Sequence, residues 1–133
     1  MEIEKYGDLK SIVNTPHAPV THDFADGVYI RRMDMIAGSV VIGAIHNHKH
    51  VWFLLTGHVS IYANEKLEDY VAPCYVVSEP GTRRLIYAHE ESIFVNVHKN
   101  PSNTQDIKEL EEEIVSITEE DFNNYQKKII WHL

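Results

Sequence analysis

Three histidines stand at alternate positions, His46, His48 and His50, immediately before an apolar run. In a β-strand, side chains two residues apart share a face, so this spacing predicts three imidazoles that point the same way. Neutral imidazole nitrogens are donors that suit zinc, iron, nickel and copper, and the spacing therefore indicates a transition-metal site. With nine histidines in 133 residues, a polar strand end where histidines happen to alternate stays open as the alternative.

Two adjacent arginines, Arg83 and Arg84, follow the Pro80-Gly81 turn. Neighbouring residues of a strand face opposite ways, so only one of them can point into a core. A guanidinium inside a small β-fold would anchor a carboxylate or phosphate through two parallel hydrogen bonds. The alternative is a solvated strand end whose arginines pair with Glu79 or Glu90.

Other polar and aromatic residues are weaker candidates. Trp52 has the same parity as the histidines, which predicts either a cavity wall or plain core. Tyr87 is a candidate acid, base or ligand contact, with an ordinary strand residue as the alternative. We expect His17 and His22 to be exposed or structural rather than ligands.

Composition limits the function further. The net charge of −8 disfavours a nucleic-acid partner bound through its phosphates. No apolar run approaches twenty residues and no charged-then-apolar leader is present, so we expect neither a membrane span nor a secretory signal. Cys74 is the single cysteine, which excludes an intrachain disulfide and predicts a cytoplasmic location.

The histidines are expected to lie in a fold made of short strands. Residues 1–26 contain several breakers and predict an irregular segment with short strands, and residues 27–100 form the β-domain. The predicted strands cover 28–36, 39–45 (continued by the histidines), 51–56, 58–62, 70–78, 83–87 and 92–98. Short strands at regular spacing with no helix between them predict an antiparallel β-sandwich or barrel.

Two short helices are predicted in residues 101–133. Apolar residues at offsets of three, seven and ten, from Ile107 to Ile117, form the stripe of the first helix. Asn103 is its predicted N-cap, with Asp106 three positions later. Thr118 is predicted to begin the second helix, which carries a further apolar stripe to its end. We expect both helices to pack on the outside of the β-domain or on a second subunit.

Residues 27–98 resemble the cupin superfamily, whose members are small antiparallel jelly-roll barrels with two short metal-binding motifs. The first motif has two histidines, then a glutamate, then six residues and a glycine. Counting back from Gly57 places His50 at the glutamate and His46 at the second histidine. Ala44 stands at the first histidine, and His48 is additional.

The second cupin motif is similar to residues 78–84, where the proline and glycine match but Arg84 stands at the usual histidine. The resemblance also implies that the last strand of the barrel flanks the first motif. His98 on that strand is therefore the preferred additional ligand, and His89, beside a turn, is a weaker candidate. The resemblance matches only His46 and His50, so His48 or a residue of a neighbouring strand must complete the site. The predicted metal ligands are therefore His46, His48, His50 and His98. The predicted ligand-binding residues are Arg84, Trp52, Tyr87 and His89.

Residues 43–46, 80–90 and 97–98, with the acidic helix that follows, are similar to small cupin-like proteins encoded by tailed bacteriophages, which would place the chain in the host cytoplasm. The histidines predict a divalent transition metal (zinc, iron, nickel or manganese), and a cationic centre with Arg84 near it predicts a small anionic metabolite as the ligand. A non-catalytic small-molecule-binding cupin or sensor and a phage structural or accessory protein stay open as alternatives. A homodimer or larger homo-oligomer is expected, because a jelly roll leaves sheet edges exposed.

Overall fold

Short antiparallel strands dominate the computed structural model, which describes residues 18–131 and their side chains up to residue 128. The strands are β1 Val20–Ala25, β2 Val28–Met35, β3 Val40–Ile42, β4 Ile45–His46, β5 His50–Thr56, β6 His58–Ala63, β7 Lys66–Val71, β8 Cys74–Ser78, β9 Leu85–Ala88, β10 Ser92–Lys99 and β11 Val115–Ser116. The helices are α1 Ile107–Ile114 and α2 Glu119–Trp131. His17 lies outside the described residues.

Every strand pairing among the described residues is antiparallel, which confirms the antiparallel all-β part of the predicted fold. A five-stranded sheet has the order β1-β2-β10-β5-β8, and a four-stranded sheet has the order β3-β9-β6-β7. A two-stranded ribbon pairs β11 with β4. Within residues 18–131 the strands therefore form separate sheets rather than one closed barrel. No helix in this part of the chain is long and apolar enough to cross a membrane.

The hydrophobic core lies between the two larger sheets. Leu54, Val59 and Phe94 are fully buried there, and Trp52 stacks on Phe94 with ring centroids 4.8 Å apart. Each of these side chains contributes about 1.5–3 kcal/mol through burial. Gly57, between β5 and β6, has φ +97°, and a Cβ there would lie 2.1 Å from Ser92 Oγ. This turn therefore requires glycine.

The histidine segment is not one continuous strand, so the prediction that the three rings share one face is wrong. The β4 strand ends at His46, and β5 begins at His50. Asn47 causes the break, because its polar side chain is buried in the C-terminal segment. Its amide nitrogen donates to the Glu113 carbonyl, and its Oδ1 accepts from Ser116 Oγ at 2.6 Å. Residues 47–49 lie between the two strands, so their side chains do not alternate between the two faces of a strand.

The predicted strand over residues 70–78 is also two strands. Pro73 lies between β7 and β8 and has no N–H to donate, so the pairing is interrupted there. Both arginines at positions 83 and 84 precede β9.

The first helix begins later and ends earlier than predicted. Asp106, not Asn103, is the N-cap, and its side chain accepts from the N–H groups of Lys108 and Glu109. Asn103 instead has φ +54°, and its Oδ1 accepts from the Gly27 N–H. Ile117 lies beyond the helix and is exposed.

The second helix begins as predicted, with Thr118 Oγ1 accepting from the Asp121 N–H at 3.1 Å. Its last apolar side chains lie outside the described residues. The first helix packs Leu110 and Ile114 against Tyr29, and β11 pairs with His46. The C-terminal segment therefore packs beside the histidines.

Candidate metal centre

Three buried histidines converge where β4, β5 and β10 meet. His46 ends β4 and His50 begins β5, while β10 pairs with β5 so that His98 lies level with His50. Ring centroids lie 4.4 Å apart for His46 and His50 and 4.5 Å apart for His50 and His98. One nitrogen from each ring lies within 4.8 Å of the other two. The arrangement can hold one metal ion.

Backbone carbonyls lie beside the outer nitrogen of two of these rings. His46 Nδ1 is 3.4 Å from the Thr82 carbonyl oxygen, and His50 Nδ1 is 3.3 Å from the His48 carbonyl oxygen. If each Nδ1–H donates to its carbonyl, each Nε2 keeps a lone pair directed inward. Histidines that ligate metals are held by this kind of second hydrogen bond.

The same histidines are held neutral. Burial, followed by the charge of Arg84, lowers the pKa of His46 to about 2 and that of His50 to about 4. Burial and then His50 lower the pKa of His98 to about 3. Only neutral imidazole ligates a metal, so the donor set is ready to bind near pH 7.

Arg84 points into the interior beside these histidines. Its Nη2 donates to Asn96 Oδ1 at 2.7 Å, and its Nη1 lies 3.3 Å from Ser78 Oγ and 3.4 Å from His50 Nε2. The buried Nε of Arg84 has no hydrogen-bond partner in the described part of the chain. Within the same residues no carboxylate forms an ion pair with it, and burial lowers its pKa to about 10. This charge is buried without compensation.

The donor chemistry of this group fits a transition metal. Three neutral imidazoles each offer one nitrogen lone pair, and these nitrogens lie within 4.8 Å of one another. His50 Nε2 also lies 3.0 Å from Asn96 Oδ1, which accepts from Arg84 Nη2, and 3.4 Å from Arg84 Nη1. A metal ion at this nitrogen would therefore lie beside the guanidinium.

A cavity of about 360 Å³ opens beside the histidines. Its polar lining includes His46, His98, Arg84, Arg31 and Tyr29. The volume is at the small end of the range for ligand sites, which admits a metabolite rather than a polymer. Glu111 and Ile114 of α1 also line it. The helix thus forms part of the cavity wall, whereas the sequence predicted packing on the outside.

His48 lies apart from this group, because the break after His46 turns its side chain toward the helices. His48 Nε2 is 2.6 Å from Tyr125 Oη and 3.4 Å from Glu113 Oε1. Burial lowers the pKa of His48, and burial together with Glu113 raises the pKa of Tyr125. His48 joins the loop after β4 to both helices.

The remaining sequence candidates lie at different places. Trp52 is core, between Phe94 and the edge of Tyr70 at 5.0 Å. It also lines a second cavity of about 320 Å³ that reaches Arg84. Tyr87 and His89 lie on the outer face of the four-stranded sheet, because Ala88 between them is fully buried in the core.

Sequence reasoning missed two further residues of the site. Asn96 bridges Arg84 and His50, and Tyr29 stacks on His98 with ring centroids 6.0 Å apart. Asn96 shares a strand face with His98, and this period-two spacing is the signal that could have identified it. Tyr29 is brought to the site by pairing of β2 with β10, opposite His98, which no local spacing reveals.

Comparison with known proteins identifies the fold. No family model matches the chain, and no curated protein matches it. A cupin superfamily protein from Desulfitobacterium hafniense is 12% identical, with a TM-score of 0.55, over 65% of this chain and 80% of that one. A Cupin 2 conserved barrel domain protein from Salinispora arenicola is 13% identical, with a TM-score of 0.55, over 83% and 98% of the two chains.

Salicylate 1,2-dioxygenase from Pseudoaminobacter salicylatoxidans, solved with gentisate, has a TM-score of 0.59 and 10% identity over 67% of this chain. The match spans only 26% of the dioxygenase chain. At these identities the likeness establishes a cupin-like β-fold, and fold does not determine activity.

Proposed function

We propose that the protein binds a divalent transition metal through His46, His50 and His98 and holds a small anionic metabolite in the adjoining cavity. Zinc, iron, nickel and manganese are the candidate metals. The observation that carries this proposal is the convergence of three buried, neutral imidazoles beside an arginine whose Nε is unpartnered in the described residues. When bound, such a metal would supply Lewis-acid chemistry, including activation of a water molecule.

The residues around the cavity have separate roles in this proposal. Arg84 lines the cavity and would attract an anion there, and the anion would compensate its buried charge. Asn96 would orient both the guanidinium and the His50 ring. Apolar side chains of β3, including Val40 and Val41, line the cavity and would exclude water from around a bound small ligand. A binding protein that does not convert its ligand would use the same groups.

We expect untagged protein to contain metal and the His46→Ala/His50→Ala variant to contain one metal equivalent fewer than wild type. Removing two of three ligands leaves His98 alone, and a single imidazole does not hold an ion. Elemental analysis after gel filtration measures this. The control is His48→Ala, which removes a histidine of the same segment outside the group, and it should retain metal. A metal content in the double variant equal to that of wild type, or an equal loss from the control, would contradict the assignment.

The competing proposal, a phage structural or accessory protein, predicts that His46, His50 and His98 hold no metal. The similarity to phage-encoded proteins remains a prediction from the sequence. The difference in metal content between wild type and His46→Ala/His50→Ala therefore separates the two functions.

Self-association also remains a prediction, and the outer face of β5 and β8 is where we expect it. Leu55, Tyr75 and Val77 are exposed on this face, and β8 is an edge strand. A second copy would cover these apolar side chains. Light scattering should show a dimer or larger species, and Tyr75→Glu/Val77→Lys should yield monomer. A monomeric wild type at micromolar concentration would refute this prediction.

A further inference from the structure

A second group of metal-binding side chains lies on the outer face of the four-stranded sheet. His58 on β6, Asp69 on β7 and His89 after β9 bring three ligand atoms within 4.8 Å of one another. His58 Nε2 is 3.8 Å from Asp69 Oδ2, and His89 Nε2 is 4.0 Å from Asp69 Oδ1. We infer that these residues form a separate site for a divalent transition cation, for which zinc is the appropriate probe.

The sheet holds the two imidazoles of this outer site close together. The His89 N–H donates to the His58 carbonyl at 2.9 Å, which fixes the two backbones beside each other. The two rings stack with centroids 4.1 Å apart, and Tyr87 packs edge-on against His89 at 4.8 Å. Two of the ligands lie on paired strands, which position side chains more precisely than free loops do, and the His89 backbone is held to β6 by this hydrogen bond.

Ser60 connects the remaining ligand to this pair. It is buried between Asp69 and His89, and its hydroxyl donates to Asp69 Oδ1. This hydrogen bond lowers the pKa of Asp69, so the carboxylate is ionised. Because the Ser60 O–H donates its hydrogen bond to Asp69, the Ser60 oxygen accepts from the His89 Nε2–H, and the two atoms lie 2.6 Å apart. A bound cation would take the place of the His89 proton, while Ser60 would continue to hold the carboxylate.

The donor set favours zinc among the common cations. Two imidazole nitrogens and one carboxylate oxygen, with positions left open to water, are a frequent zinc ligand set. In a tetrahedral site with bonds of about 2.0 Å the ligand atoms are about 3.3 Å apart. The three ligand atoms, which lie within 4.8 Å of one another, must therefore move closer together, by about 0.5 Å for His58 Nε2 and Asp69 Oδ2 and by about 0.7 Å for His89 Nε2 and Asp69 Oδ1. The Asp69 side chain is 64% exposed and is free to make this movement.

A cation here would connect three strands that are otherwise joined by backbone hydrogen bonds. It would link the edge strand β7 through β6 to the segment that follows β9. Because it would bind the folded chain alone, it would raise the melting temperature as its concentration rises.

The test is zinc titration of chelator-treated, untagged full chain by calorimetry. His89→Gln and Asp69→Asn should each remove one zinc equivalent relative to wild type and reduce the melting-temperature rise caused by zinc. Ser60→Ala should keep the stoichiometry but weaken this site roughly tenfold, the effect of losing a group that orients a ligand. The matched control is Glu68→Gln, since Glu68 is a carboxylate on the same strand that faces the opposite side.

Each variant and the wild type both keep His46, His50 and His98. The difference in zinc stoichiometry between them therefore reports the outer site, whether or not the inner histidines bind metal. Should a variant melt far below wild type without zinc, His58→Gln replaces it, because His58 makes none of the Ser60 contacts. Unchanged stoichiometry in His89→Gln and Asp69→Asn would overturn the site. An equal loss in Glu68→Gln would also overturn it, since binding would then follow surface charge.

Discussion

Chelator-treated protein should be about 6 kcal/mol less stable to unfolding at pH 5 than at pH 7. Folding lowers the pKa of His46, His50 and His98 from the ordinary value of 6.5 to between about 2 and about 4. Below pH 6.5 the unfolded chain therefore binds protons at these positions while the folded chain does not, and stability falls as the pH falls. Each histidine contributes about 2 kcal/mol over this interval.

A loss of this size is comparable to the whole stability of a small domain, which is about 5–15 kcal/mol. Urea unfolding at constant ionic strength and several pH values measures it, since the slope against pH gives the protons taken up. The His98→Gln variant should take up about one proton fewer at pH 5.5 than wild type. The prediction fails if stability is flat between pH 7 and 5, or if the variant has the wild-type slope.

The antiparallel fold was predictable because its signal is local. Strands that bury one face on the core, such as Val59 and Ile61 on β6, alternate apolar and polar side chains, and glycine or proline marks their ends. The break within the histidine segment was not predictable in this way. It depends on Asn47, whose buried partners lie more than sixty residues further along the chain.

The candidate metal centre was predictable only in part, because some of its contacts also join residues that are far apart in the sequence. His46 and His50 were identified by spacing and by resemblance to cupins, and His98 by the expected neighbouring strand. His48 has the same residue type and the same spacing, but only the packing of the helices shows that it faces Tyr125. The outer group was missed because His58, Asp69 and His89 are far apart in sequence and meet through strand pairing.

Replacement of Arg84 by methionine should have opposite effects on the two proposed ligands of the cavity. Methionine has similar length but no charge, so it removes the repulsion between the buried guanidinium and a cation at His50. Two unit charges 4 Å apart interact by about 4 kcal/mol at an effective dielectric constant of about 20. Even partial relief should tighten metal binding at least about tenfold, which corresponds to about 1.4 kcal/mol. Competition with a chelator of known affinity measures this change.

The same replacement should abolish anion binding, because the guanidinium and its buried charge are both lost. In a thermal-shift screen of small carboxylates and phosphates, at least one compound should stabilise wild type and none should stabilise Arg84→Met. Arg84→Lys is the control, since it keeps the charge and should not tighten metal binding. If metal binding weakens equally in both variants, Arg84 acts by holding Asn96 and His50 in place. If anions stabilise wild type and Arg84→Met equally, Arg84 is not their anchor. A buried arginine that weakens the metal site but attracts the ligand would make the two bind cooperatively, because the anion compensates both positive charges.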